Sequence, residues 1–401
     1  MIRPLVAGDF VGSWDDLPEI ELPAAAAAFV GGALDALRVV RHHVAPRTNE
    51  TLLATAGRKE PGLVHDLDEL GLTLAEVNGD DVRIGSASTR HAPTPGRVWL
   101  LTSGSTGRPK RVAHTLDTLT TVRGSQPPRT WLNPYTPGAY AWWQVTTLAL
   151  TQPDQGMVCV DPASTTEWAQ AALEYGVDAA SGTPTFWRQA LMRSGETLSQ
   201  IGFQQITLGG EPVDQAVIDM LTSAFPEARV SWIYASSEVG AAIAVHDGKA
   251  GFPEAWLDRD DPSRPRLSVR DDELVITSPH RGEGVAAELR TGDRVARRDG
   301  RVLITGRLAS DEINVGGSKV SAGQVREVVM SHPGVAWCAV KGRKAPVVGS
   351  LVQADVVLSD PAVTEDDLTR YCAARLAEYA VPRRIRFLDQ IPMKESLKSD
   401  V

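Results

Sequence analysis

The segment Thr102-Ser103-Gly104-Ser105-Thr106-Gly107-Arg108-Pro109-Lys110 holds more potential chemistry than any other stretch of the 401-residue chain. Four hydroxyls and two glycines fall within its first six residues, and a lysine closes it. Glycines let the backbone approach a phosphate closely, and hydroxyls and free N–H groups donate to its oxygens. Lys110 adds a point charge suited to a polyphosphate. The apolar run Val98-Trp99-Leu100-Leu101 that precedes it reads as a buried strand. This is not the Walker-type loop: the lysine does not directly follow the second glycine, and no Ser or Thr follows the lysine. A polar hairpin turn is the plainer reading of an ordinary Gly/Ser run, but the order of all nine residues argues against it.

That order resembles the phosphate loop of the adenylate-forming superfamily, which includes acyl- and aryl-CoA ligases, stand-alone adenylation domains and luciferases. Further stretches follow in the order the family has them. Gly209-Gly210-Glu211-Pro212 resembles the glycine-rich segment lining the adenine and acyl pockets. Tyr234-Ala235-Ser236-Ser237-Glu238 is similar to the family's Tyr-Gly-x-Thr-Glu, with Ala235 for the glycine and Ser237 for the threonine. The resemblance implies that Tyr234 lies against adenine and that Glu238 holds Mg2+, an ion that binds through one or two carboxylates plus phosphates. Thr291-Gly292-Asp293 looks like the ribose-binding stretch, with Asp293 accepting from the ribose hydroxyls. Gly306-Arg307 resembles the pair whose arginine contacts ribose and phosphate. The hinge that follows falls among Ala309, Ser310 and Asp311, and Asp311 is chosen because it keeps an acid there. Pro392-Met393-Lys394-Glu395-Ser396-Leu397-Lys398 is similar to Pro-x-x-x-x-Gly-Lys, with Leu397 for the glycine. Spacing favours Lys398 over Lys394 as the catalytic lysine, whose task is to neutralise charge on the carboxylate and α-phosphate as they join.

Around these motifs the chain reads as α/β. Apolar runs at 157–160, 177–180, 205–208 and 230–234 alternate with helical patterns, which argues for largely parallel strands. Shorter strands from Leu267 to Gly306, with an Asp299-Gly300 turn, suggest a β-rich subdomain. The expected division is a large layered α/β domain over 1–306 and a small mobile α+β lid over 307–401. The alanine-rich stretch from Pro23 to Val30 is expected to run on as a packed helix through Leu37. The region before residue 97 does not match the family motif by motif, so a shortened N-terminal region is expected, with a surface open to a second copy in a homodimer.

Composition narrows the function. With 42% hydrophobic and 23% charged residues, the chain is an ordinary soluble protein in make-up. A net charge of -9 argues against nucleic-acid binding. No leader-like or bilayer-spanning run is evident, and Cys159, Cys338 and Cys372 show no metal or disulfide spacing, which fits a cytoplasmic setting without a membrane partner.

The resemblance implies an ATP-dependent enzyme that makes an acyl-adenylate and then a thioester, using ATP and Mg2+. The expected substrate is a small-molecule carboxylic acid of aryl or short acyl type. No Asp or Glu lies between Trp131 and Pro153 to meet an α-ammonium group, and Trp142, Trp143 and Gly209 are candidates to line the acid pocket. Gly316 and Gly317 look like the segment that admits pantetheine, from coenzyme A or from the phosphopantetheine of a carrier protein. A non-catalytic nucleotide-binding relative is the alternative from another class. A third reading keeps the adenylate but gives it to an amine-type nucleophile.

Overall fold

The computed structural model describes residues 3–398 apart from Arg47, Glu60, 87–91, 103–109, Arg123, 309–311, 316–317, 346–348 and 395–396. Four sheets organise the described residues. The largest has eight strands, ordered Gly240–Val245, Arg229–Ser236, Gln205–Gly209, Ala179–Gly182, Arg129–Asn133, Gln155–Cys159, Leu5–Ala7 and Phe10–Gly12. Its inner six run parallel and its two edge strands are antiparallel. Parallel strands need crossovers, and the helices Tyr140–Thr151, Thr165–Glu174, Pro184–Leu198 and Gln215–Ala224 supply them. Capping residues fix two helix starts: Thr183 accepts from the Phe186 amide and Asp214 from the Val217 amide.

A second sheet of six strands is ordered Asp81–Ile84, Thr73–Asn78, Ala25–Val30, Glu50–Thr55, Arg97–Thr102 and Lys110–Thr115. Here the expectation for residues 23–37 is corrected. Ala25–Val30 is a strand buried along its whole length and paired in parallel with Glu50–Thr55 and Thr73–Asn78, and the helix begins only at Ala33. Five successive alanines, Ala24 to Ala28, favour helix in isolation. Between two neighbouring strands and covered on both faces, their small side chains instead admit close packing, and burial overrides propensity.

The antiparallel sheet of Phe252–Pro253, Arg301–Arg307, Glu288–Arg298, Glu273–Thr277 and Arg266–Arg270 is the expected β-rich unit. The small C-terminal domain follows. Its sheet contains Glu312–Val315, Ser318–Ser321, Val335–Ala345, Gly349–Leu358 and Arg384–Phe387. The helices Ala322–Met330 and Glu365–Ala373 contribute Val325, Val329, Leu368 and Cys372 to its own core. It meets the large domain through Arg298–Glu327 at 2.6 Å, Arg326–Asp214 at 3.6 Å and Arg193–Gln390 at 3.1 Å. No helix among the described residues is long and apolar enough to cross a membrane.

The helix Ala33–Val44 packs on the strands Ala25–Val30 and Glu50–Thr55 and sets His43 against Thr51, with Nδ1 2.9 Å from Oγ1. Burial lowers the His43 imidazole from 6.5 to about 4, so it is neutral in the folded protein. The unfolded chain therefore binds this proton more readily, and the stability tied to it is present above about pH 6.5 and lost as pH falls toward 4. The loss is expected to be on the order of 3 kcal/mol. Thermal unfolding at pH 7 and pH 4.5 should show a steeper acid loss for the natural chain than for His43→Gln.

Candidate active site

Side-by-side parallel strands bring their carboxyl ends to one edge of a sheet, and the residues just past them form a crevice. Here the strands Ala179–Gly182, Gln205–Gly209 and Arg229–Ser236 are neighbours in parallel register. Thr183, Gly210, Glu211, Ser237 and Glu238 follow directly on their ends. Gly210 has a φ of +82°, and a Cβ placed there would stand 3.4 Å from Lys398 Cε and 3.5 Å from Thr183 Cγ2. The positive φ is what favours glycine here, while the neighbours would meet a Cβ only at ordinary contact distance. Gly209, the last residue of its strand, sits close to the next strand's backbone: a Cβ on it would lie 3.3 Å from the Ile233 carbonyl. Glu211 accepts from the Thr185 amide at 3.0 Å.

Asp293 gathers the opposite wall. It lies on the strand Glu288–Arg298, directly across from Arg307 in the pairing register. Tyr234 donates its hydroxyl to Asp293 Oδ2 at 2.5 Å, and Arg307 Nε lies 3.1 Å from Oδ1. Arg307 also donates to the Thr291 carbonyl at 2.7 Å. Burial pushes the Asp293 carboxyl above its usual range, against the pull of the Tyr234 hydrogen bond and Arg307. Burial, with the nearby Asp293 charge second, holds the Tyr234 hydroxyl firmly protonated as a donor.

Glu238 is half-buried in the turn between Arg229–Ser236 and Gly240–Val245, and Ser237 Oγ donates to its Oε2 at 3.1 Å. Ser236 Oγ accepts from the Glu238 and Val239 amides at 3.2 and 3.3 Å and so shapes the turn. His114 fixes the same turn from outside, with Nε2 2.6 Å from the Ser237 carbonyl. A carbonyl only accepts, so Nε2 carries the proton. Burial lowers this imidazole, which keeps it neutral. The sequence offered no motif for His114, because a lone histidine on a mixed polar strand carries no spacing signal.

His114 lies on the strand Lys110–Thr115, which pairs with Arg97–Thr102, and Thr102 faces Lys110 at the base of the proposed phosphate loop. Lys110 is exposed there. Ser103, Gly104, Ser105, Thr106 and Gly107 lie outside the described residues, as do Asp311, Gly316 and Gly317. Lys398 reaches the crevice from the small domain. It is open to solvent by surface area yet set deep among protein atoms. Burial lowers its pKa, while Glu211, Asp293 and Glu238 act in the other direction and Arg307 adds to the lowering.

The structure therefore brings together Gly209, Gly210, Glu211, Tyr234, Ser237, Glu238, Asp293, Arg307 and Lys398. Trp142 and Trp143 are a correction. Both are fully buried in the main core on the helix Tyr140–Thr151, packed edge to face with ring centroids 5.3 Å apart, and expose no pocket wall. The three cysteines are buried too, and burial pushes the thiols of Cys159 and Cys338 up to about 12 and that of Cys372 to about 11. No cluster of three or more His, Cys, Asp or Glu side chains suited to a metal occurs among the described residues. An ion that takes most of its ligands from phosphates and water needs only one or two carboxylates, and the half-buried Glu238 beside the Ser237 hydroxyl fits that requirement.

The family model for AMP-binding enzymes matches residues 21–306, and that for the AMP-binding enzyme C-terminal domain matches residues 324–398. A long-chain-fatty-acid–CoA ligase of Escherichia coli O157:H7 is 28% identical over 264 residues, covering 59% of this chain and 46% of the relative. A 4-chlorobenzoate–CoA ligase of an Arthrobacter species is 27% identical over 266 residues, covering 59% of this chain and 49% of the relative. The chain spans about half the length of the curated relatives it matches. An anthranilate CoA ligase, AuaEII, solved with anthranoyl-AMP, shares the fold with a TM-score of 0.71 at 15% identity, over 94% of this chain and 86% of that one.

Removing the Tyr234 hydroxyl leaves the ring in place but deprives a buried carboxylate of a donor. Tyr234→Phe is expected to cost about 1–3 kcal/mol of stability, read as a lower Tm. Among the described residues Asp293 then keeps only Arg307 as a partner, and the fall in Tm should be smaller in Tyr234→Phe than in Asp293→Asn, which loses the charge as well.

Proposed function

The chain belongs to the AMP-binding enzyme family, and from that premise we propose that it uses ATP to convert a carboxylic acid to an acyl-adenylate and then transfers the acyl group to the thiol of coenzyme A. The observation that carries this reading is the position of Lys398, whose Cε lies over Gly210 at the carboxyl end of the parallel strands, with Glu211, Asp293 and Glu238 near enough to act on its charge. In the first half, a carboxylate oxygen attacks the α-phosphorus and the bond to pyrophosphate breaks. Negative charge from two reactants converges in that step, and Lys398 is the cation placed to offset it. Tyr234 supplies a ring face for adenine, and Asp293 with Arg307 meets the ribose. Glu238, with Ser237 beside it, would hold Mg2+, which would offset charge on the phosphates. Thr102, Ser103, Gly104, Ser105, Thr106, Gly107 and Lys110 are assigned to the phosphates.

In the second half a thiol attacks the acyl carbonyl and AMP leaves. Asp311 is assigned as the hinge that lets the small domain withdraw Lys398, and Gly316 and Gly317 as the passage for pantetheine. The acid is an aryl or short acyl carboxylate. What supports this is the lack of any acidic residue between Trp131 and Pro153 that could meet an ammonium group, since Trp142 and Trp143 no longer contribute. The thiol of a carrier protein is the second acceptor to test.

ATP–pyrophosphate exchange over a panel of aryl, aliphatic and amino acids is the direct test. Exchange with aryl or short acyl acids, and none with amino acids, is expected; binding of ATP without exchange for any acid would favour a non-catalytic role. Lys398→Ala should reduce exchange by about 10²–10³-fold while leaving ATP binding measurable. With the acid in hand, coenzyme A and phosphopantetheinylated carrier proteins can be compared as acceptors, and faster thioester formation with coenzyme A is expected.

A further inference from the structure

Leu397 has a φ of +62°, a left-handed conformation that crowds any residue with a Cβ. Its side chain is nonetheless fully buried. It does not join the small domain's core but packs into the core of the large domain. The backbone around it is tied from both sides. Thr183 donates its hydroxyl to the Leu397 carbonyl, while the same oxygen accepts from the Phe186 amide at 3.0 Å to cap the helix Pro184–Leu198. Leu397 N donates to the Lys394 carbonyl at 2.9 Å, and Lys394 N to the Lys398 carbonyl at 2.8 Å. The very next residue is Lys398, whose Cε lies over Gly210.

We infer that Leu397 is a positioning residue: an apolar anchor that seats Lys398 and holds the small domain on the large one in the arrangement that serves adenylate formation. Among the described residues Met393 also packs against the large domain's core but is only partly buried, and the ion pairs that link the domains are polar. Arg298–Glu327 is exposed, and Arg326 approaches Asp214, which is also paired with Arg188 at 2.7 Å. Separated, the exposed charges regain water and Asp214 keeps Arg188. Leu397 has no such exchange, because moving the small domain away draws its side chain out of an apolar core into water. The anchor therefore biases the chain toward the first half-reaction and opposes the second, in which the lysine must leave. The link to adenylate formation and to the half-reactions rests on the reading proposed above, whereas the anchoring of the small domain does not.

Two substitutions separate anchoring from simple stability. Leu397→Gly removes the side chain and also relieves the left-handed backbone, whereas Leu397→Met keeps an apolar anchor. Pyrophosphate exchange reads the first half, and thioester formation from pre-made acyl-adenylate reads the second. In Leu397→Gly the exchange rate is expected to fall about tenfold, the scale set by burying one leucine. Acyl transfer from the supplied adenylate should hold or rise, and Leu397→Met should resemble the natural chain in both. Amide hydrogen exchange at Lys394, which needs no substrate, should speed up by about tenfold or more in the glycine variant. Unchanged amide exchange, or two half-reactions that fall together with Tm, overturns the anchor. Faster amide exchange in a chain whose natural form exchanges pyrophosphate with no acid would uphold the anchor and overturn the reaction.

Discussion

A carboxylate removed from water must find partners, and the structure turns on how Asp293 finds them. Its two oxygens take Tyr234 from the parallel sheet and Arg307 from the antiparallel one. Two sheets of different construction are thereby fixed at a single point. Arg307 is also the last residue of its strand, so the same carboxylate sets where the chain departs toward the small domain. The position of the lid is thus tied to the group that faces the bound nucleotide in the proposed reaction.

The second clamp is His114, which joins the strand leaving the proposed phosphate loop to the turn that carries Glu238. Backbone bonds reinforce it, with the Glu283 amide on the Ala113 carbonyl and the Gly282 amide on the Glu238 carbonyl, each at 2.8 Å. The elements proposed to face phosphate and metal come from different sheets, 123 residues apart along the chain at His114 and Ser237. A neutral imidazole suits this place, because it links two backbones without adding a charge beside a carboxylate that has its own work.

The parallel sheet and the turns at its strand ends were legible in the sequence for a common reason. Strands covered on both faces read as continuous apolar runs, and the turns after them need glycines and polar residues in fixed order. Tyr234, Glu238, Asp293, Arg307 and Lys398 stood out instead by the resemblance of their short motifs to those of a known family, and the fold gathers them at one crevice. Legibility failed where sequence carries no directional signal. The alanines of 25–30 have no period, so a buried strand and a tight helix look alike. Trp142 and Trp143 could face a pocket or a core with equal hydrophobicity, and only packing decides. His114 acts through a single backbone carbonyl distant in sequence, for which no local pattern exists.

The burial of Cys159, Cys338 and Cys372 has a consequence for safety as much as for stability. An acyl-adenylate is an activated acyl donor, and a thiolate is the side chain best suited to intercept it. Each cysteine of this chain is buried, with its thiol held protonated to about pH 11 or above. If the proposed reaction runs here, the adenylate is spared from acylating the protein's own sulfur, and the incoming acceptor has no internal rival among these three.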